Sequence, residues 1–175
     1  MKKSLMLLMA LSLSVPAGAQ SLSEKTGMNA LVGAAPTTAD FVKIATVSDL
    51  FEIQSSELAL QGQDHALNTF ATTMIQDHKK TSADLKDIIA SNNLPVTQPT
   101  AMDDSHQATL DKLKGLQGTS FTREYRKDQI SGHEDAVSLF RRYSQDGDNP
   151  ALKTWATQTL PRLEDHLKMA KALPH

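Results

Sequence analysis

Apolar side chains recur along this chain at steps of three and four, and no window alternates apolar and polar for the length a strand requires. The pattern predicts four long helices and one short one. The first runs from about Thr38 to Leu60, with Thr37 or Thr38 as its cap and Asp40 in its first turn. Gly62 ends it, and Asp64 opens a second helix reaching about Ala90. Ser91 to Thr100 (SNNLPVTQPT) is a proline-bearing break, followed by a short amphipathic helix over about Asp103 to Leu113 that stops at Gly115. The third long helix covers about Ser120 to Ser144. The fourth has the clearest start signal, Asp148-Asn149 ahead of Pro150, and extends to about Ala172. Four long helices with mostly short connections predict an all-α, antiparallel four-helix bundle over residues 38–173, with the short extra helix between the second and third.

The apolar stripes carry a few polar residues. Leu67, Phe70, Ala71, Met74, His78, Leu85 and Ile88 share a face on the second helix, so His78 projects with the core and not with Lys79 and Lys80. Ile130, His133, Val137 and Phe140 align on the third. Leu152, Ala156, Leu163, His166 and Ala170 align on the fourth, with Trp155 on the flank and Pro161 within the helix. On the first, Glu52 lies in a row of small residues, Ala45, Ser48, Ser55 and Ala59, that begins with Phe41. Three inward imidazoles and a carboxylate are costly in a bundle core unless a metal, a charge partner or a hydrogen-bond network holds them.

Imidazole and carboxylate are ligands that zinc, iron and copper accept, and one residue from each of four helices can meet at one level of a bundle. Glu52, His78, His133 and His166 are therefore the candidate ligands of one transition metal ion, zinc, iron or copper. The alternative is a metal-free packing network inside a structural or interaction module of the cell envelope, with a role in stress. Asp77 and Asp165 precede two of the histidines and point elsewhere, where they are placed to serve a neighbouring helix. Asp103 and His106, spaced i, i+3 at the start of the short helix, read as solvated surface, as do Arg141 and Arg142. Trp155, Phe140 and Phe70 read as core.

Composition narrows the class. The first 19 residues have the form of a secretory signal: Lys2 and Lys3, an apolar run from Leu5 to Val15, and Ala17-Gly18-Ala19 before Gln20. Residues 20–37 read as a flexible tether with a short turn near Met28 to Leu31. The chain has no cysteine, which excludes lipoprotein attachment, disulfides and every cysteine-ligated metal or haem site. Its net charge of −2 argues against nucleic acid or an anionic membrane as main partner, and no segment is long enough to insert in a bilayer. An exported, periplasmic protein is expected. No G-x-S-x-G, phosphate-cradling glycine loop or C-x-x-C-H is present, so enzymes of those classes are not indicated.

The stretches FVKIATVSDLFEIQSSELAL, TFATTMIQDHKK, SFTREYRKDQISGHEDAVSLF and TLPRLEDHLKMAKAL resemble, in order, a bacterial family of exported ferritin-like four-helix bundles of unknown function. Many of its members carry the label "predicted outer membrane protein". The resemblance covers Phe41 to Leu173, places Glu52, His78, His133 and His166 at the family's recurring polar positions, and implies a ferritin-like bundle with no established activity. Ferritin-like di-iron sites use Glu-x-x-His on two helices. Here Ile75, Ile130 and Leu163 stand three residues before the histidines, so neither a di-iron oxidase nor iron storage is expected.

Overall fold

The structure, a computed structural model, describes residues 32–174. The segments expected to be a signal, a turn near Met28 and most of a tether lie outside those residues. Five helices follow in order: α1 (Thr38–Ala59), α2 (His65–Ser91), α3 (Asp104–Lys114), α4 (Gly118–Asp146) and α5 (Pro150–Ala172). There is no strand among the described residues, and no helix is long and apolar enough to cross a membrane.

The starts follow from local chemistry. Thr37 accepts a hydrogen bond from the Asp40 amide, Asp64 from those of Ala66 and Leu67, Asp103 from that of His106, and Asn149 from that of Leu152. Each satisfies amides that a helix leaves without internal partners. α4 starts without a side-chain cap, at Gly118 with φ +53°, a backbone conformation that a side chain would oppose.

Each long helix packs against two others, in the cyclic order α1, α2, α5, α4. Neighbours run antiparallel. Along α1 and α4, Thr38 meets Tyr143, Glu52 meets His133, and Ser56 meets Tyr125; along α4 and α5, Arg141 meets Glu164 and Glu134 meets Lys171. α3 lies across α1 and α4. Arg142 departs from the solvated role expected of it. It is buried, and its guanidinium donates to the Ala34 carbonyl at 2.6 Å, holding the chain just before α1 against the bundle. Burying the stem of an arginine while its head finds a carbonyl is within that side chain's repertoire.

The interior has two apolar halves. One is built on Phe41, Leu85, Val137, Phe140, Tyr143, Leu152, Trp155 and Leu163. The other contains Phe51, Leu67, Phe70, Met74, Leu110, Leu113, Tyr125 and Ala170. Each histidine stripe crosses from one half to the other: Met74, His78, Leu85 on α2, and Leu163, His166, Ala170 on α5. The polar residues therefore form a layer between two hydrophobic blocks. The blocks supply the burial that fixes helix register, and the register decides what meets in the layer.

Candidate metal centre

His78, His133 and His166 converge in that layer. They are 3%, 1% and 1% exposed, and their ring centroids stand 5.7, 5.4 and 5.4 Å apart. One ring nitrogen from each lies within 4.8 Å of the other two. Metal–imidazole bonds of ~2.0–2.1 Å set ligand nitrogens about 3.4 Å apart, so modest side-chain adjustment would let one ion span all three.

The second nitrogen of every ring is held by an acceptor. His78 Nδ1 meets Asp49 Oδ1 at 2.7 Å, His133 Nδ1 meets the Gln129 carbonyl at 2.8 Å, and His166 Nε2 meets Asp77 Oδ2 at 2.8 Å. A carboxylate or a carbonyl can only accept, so each of those nitrogens carries the proton. The lone pairs of the neutral rings are thereby assigned to His78 Nε2, His133 Nε2 and His166 Nδ1. Those three atoms are buried and have no hydrogen-bond partner.

The supporting groups are themselves anchored. Asp49, on α1, also accepts from the Thr81 and Ser82 hydroxyls at 2.9 and 2.8 Å. Asp77 Oδ2 receives Arg162 through both Nε and Nη2 at 2.7 Å. Asp77 thus fills the neighbour-helix role expected of it, whereas Asp165 is exposed. Asp49 escapes a reading by stripes because it flanks the Glu52 row. Its sequence signal is no more than an acidic residue three positions before Glu52, in D-L-F-E.

Protonation follows from these contacts. Burial disfavours the charged ring of His166 and takes its pKa down to about 4, against the opposing pull of Asp77. Burial also lowers His133. At His78 burial opposes charge too, but the hydrogen bond and charge of Asp49 outweigh it and raise the pKa. Burial would raise Asp77, yet its bonds to His166 and Arg162 bring it below the usual carboxylate range. Near neutral pH, His133 and His166 are therefore neutral, which is the form that binds metal.

Glu52 reaches the same level, 1% exposed, with Oε1 at 3.9 Å from His133 Nδ1. That nitrogen already serves Gln129, and the grouping within 4.8 Å comprises the three imidazoles without Glu52. Glu52 Oε2 is buried without a partner. A methyl group at Gly132 would sit 3.2 Å from Oε1, so the bare backbone next to His133 makes room for this carboxylate.

The chain belongs to a family described as "Domain of unknown function (DUF4142)". The match spans residues 23–173, and with them the whole bundle. This DUF4142 chain is similar in structure to "CopM in the Cu(I)-bound form", with a TM-score of 0.63 and 22% identity over 78% of this chain and 94% of that one. It is likewise similar to "CopM in the Cu(II)-bound form", at a TM-score of 0.65 and 22% identity, over 79% and 95%. At that identity the likeness is one of fold. No curated protein matches.

Proposed function

We propose that this protein is an exported transition-metal-binding bundle that holds one ion on His78 Nε2, His133 Nε2 and His166 Nδ1. A single observation carries the reading: three buried ring nitrogens, aligned by their outer partners as lone-pair donors, have no partner of their own. A packing network has no use for this arrangement. Each unmet buried group costs roughly 1–3 kcal/mol, and a network selected for stability would have paired them. A metal relieves all three together.

Three neutral imidazoles suit copper and zinc, with copper(II) favoured among divalent ions. The similarity to CopM, solved in two copper-bound forms, points the same way. Glu52 is the fourth candidate ligand, its Oε1 3.9 Å from His133 Nδ1. The N-terminal signal pattern supports export to the periplasm, where a cysteine-free site escapes thiol oxidation.

Thermal unfolding with and without chelator tests the reading. Copper- or zinc-loaded wild type should melt higher than chelated protein, and H78A/H133A should not respond. A wild type indifferent to both metal and chelator refutes it.

A further inference from the structure

Outside the triad, a cleft among the described residues gathers carboxylates. It lies where α3 crosses α1 and α4, encloses about 170 Å³, and is lined by Glu52, Asp128 and Asp135 with His106 at its rim. Asp135 is exposed and Asp128 half-buried, while Glu52 closes the floor at 1% exposure. Oε2 of Glu52 and Oδ2 of Asp128 are buried and bonded to nothing among the described residues.

The nearby cations are engaged elsewhere. Lys127 is 3.9 Å from Asp128 Oδ1 but 2.8 Å from Glu124, and Lys112 also binds Glu124, at 2.7 Å. His106 gives Nδ1 to Asp103 at 2.8 Å and rests its ring edge-on to Phe51 where it lines the cleft. A second cavity of about 150 Å³ shares Ser48, His106, Gly132 and Asp135 with this cleft and has Asp49 and His78 on its wall. The two spaces therefore adjoin, Asp135 and His106 lining both, and the inner one borders the histidine layer at His78.

We propose that this cleft is a second cation site, a vestibule in which Glu52, Asp128 and Asp135, with His106, bind a divalent ion weakly and pass it inward. Oxygen-rich donors select hard or borderline ions and exchange them quickly, whereas the three imidazoles retain softer metals. Carboxylates along a narrow cleft also focus the field that attracts cations from solution. Gly132 lines both spaces, and a side chain there would crowd the Glu52 carboxylate at 3.2 Å. The delivery role rests on the triad being a metal site; binding in the vestibule does not.

Two measurements separate these. Manganese(II), a hard ion, is titrated into H78A/H133A, in which the triad is absent, and followed by loss of the free-ion paramagnetic resonance signal. One weak site is expected, weakened roughly tenfold or more by adding D128N/D135N and not by adding the control pair D84N/D87N on α2. E52Q, isosteric with the native residue, should weaken it similarly with helical circular dichroism unchanged. Equal manganese affinity in all variants overturns the vestibule. In the second measurement, cobalt(II) uptake by otherwise wild-type protein is followed by its visible absorption. D128N/D135N should load several-fold more slowly at low salt, with the gap closing at high salt and final occupancy preserved. Unchanged loading rates overturn delivery, while absence of cobalt binding in wild type removes the triad reading and leaves the manganese result standing.

Discussion

His133→Leu separates a metal site from a packing network by the sign of its effect. In the metal-free protein the substitution removes one hydrogen bond, from Nδ1 to the Gln129 carbonyl. That bond contributes about 1 kcal/mol, and the carbonyl faces a helical amide in any case. The substitution also removes His133 Nε2, buried with no partner, which relieves roughly 1–3 kcal/mol. Leucine fills a similar volume in a layer bounded by apolar blocks, so the cavity penalty stays small. The balance runs from neutral to about 2 kcal/mol of added stability in chelator. With metal at about a hundred times Kd, wild type gains about 2.7 kcal/mol, or about 5–10 °C in Tm for a chain of this size, and the variant gains nothing. Urea denaturation in chelator and in excess zinc reads both differences. If H133L loses more than about 2 kcal/mol in chelator and wild type does not respond to zinc, the histidines are packing residues and hold no metal.

Other outcomes follow from the same contacts. Asp49→Asn and Asp77→Asn should each lower metal affinity by about 10–100-fold, read by competition with a chromophoric chelator, because the partner that fixes the ring tautomer is weakened. Metal-free stability should fall as pH drops from about 6.5 towards 4. His166, with a folded pKa of about 4, stays neutral there while the unfolded chain takes up a proton, a loss of up to about 3 kcal/mol. His133 acts in the same sense; His78, raised by Asp49, contributes stability at low pH that is lost as pH rises through its folded value. Denaturant midpoints across that range in wild type and H166L check the slope, which should be shallower in the variant. Gly147→Ala places a methyl group 2.6 Å from the Tyr143 ring and carbonyl at the end of α4, and should cost about 1–3 kcal/mol by thermal unfolding.

The helices were legible because periodicity and caps agree: Asp64, Asp103 and Asn149-Pro150 mark starts that the structure keeps. The inward direction of His78, His133 and His166 was legible for the same reason. Their meeting was not, because a stripe gives angular position and says little about height along the axis. Height is set by the two apolar blocks, whose residues lie on both sides of every histidine. Asp49 was hidden because a carboxylate beside the stripe looks the same in sequence whether it faces water or an imidazole on the next helix. Arg142 reads as solvated charge in sequence for a related reason: its acceptor, the Ala34 carbonyl, comes from a segment with no periodicity to place it. His106 pairs with Asp103 as its spacing suggests, but its position over a cleft depends on how α3 crosses α1 and α4, which no local pattern encodes.

Elemental content reads whether the triad retains a metal. The protein, prepared without a histidine tag, is loaded with copper or zinc, dialysed, and compared with H78A/H133A by mass spectrometric elemental analysis. Close to one ion per chain in wild type and almost none in the variant is the predicted result. Equal, substoichiometric metal in both, with the fold intact, would contradict it.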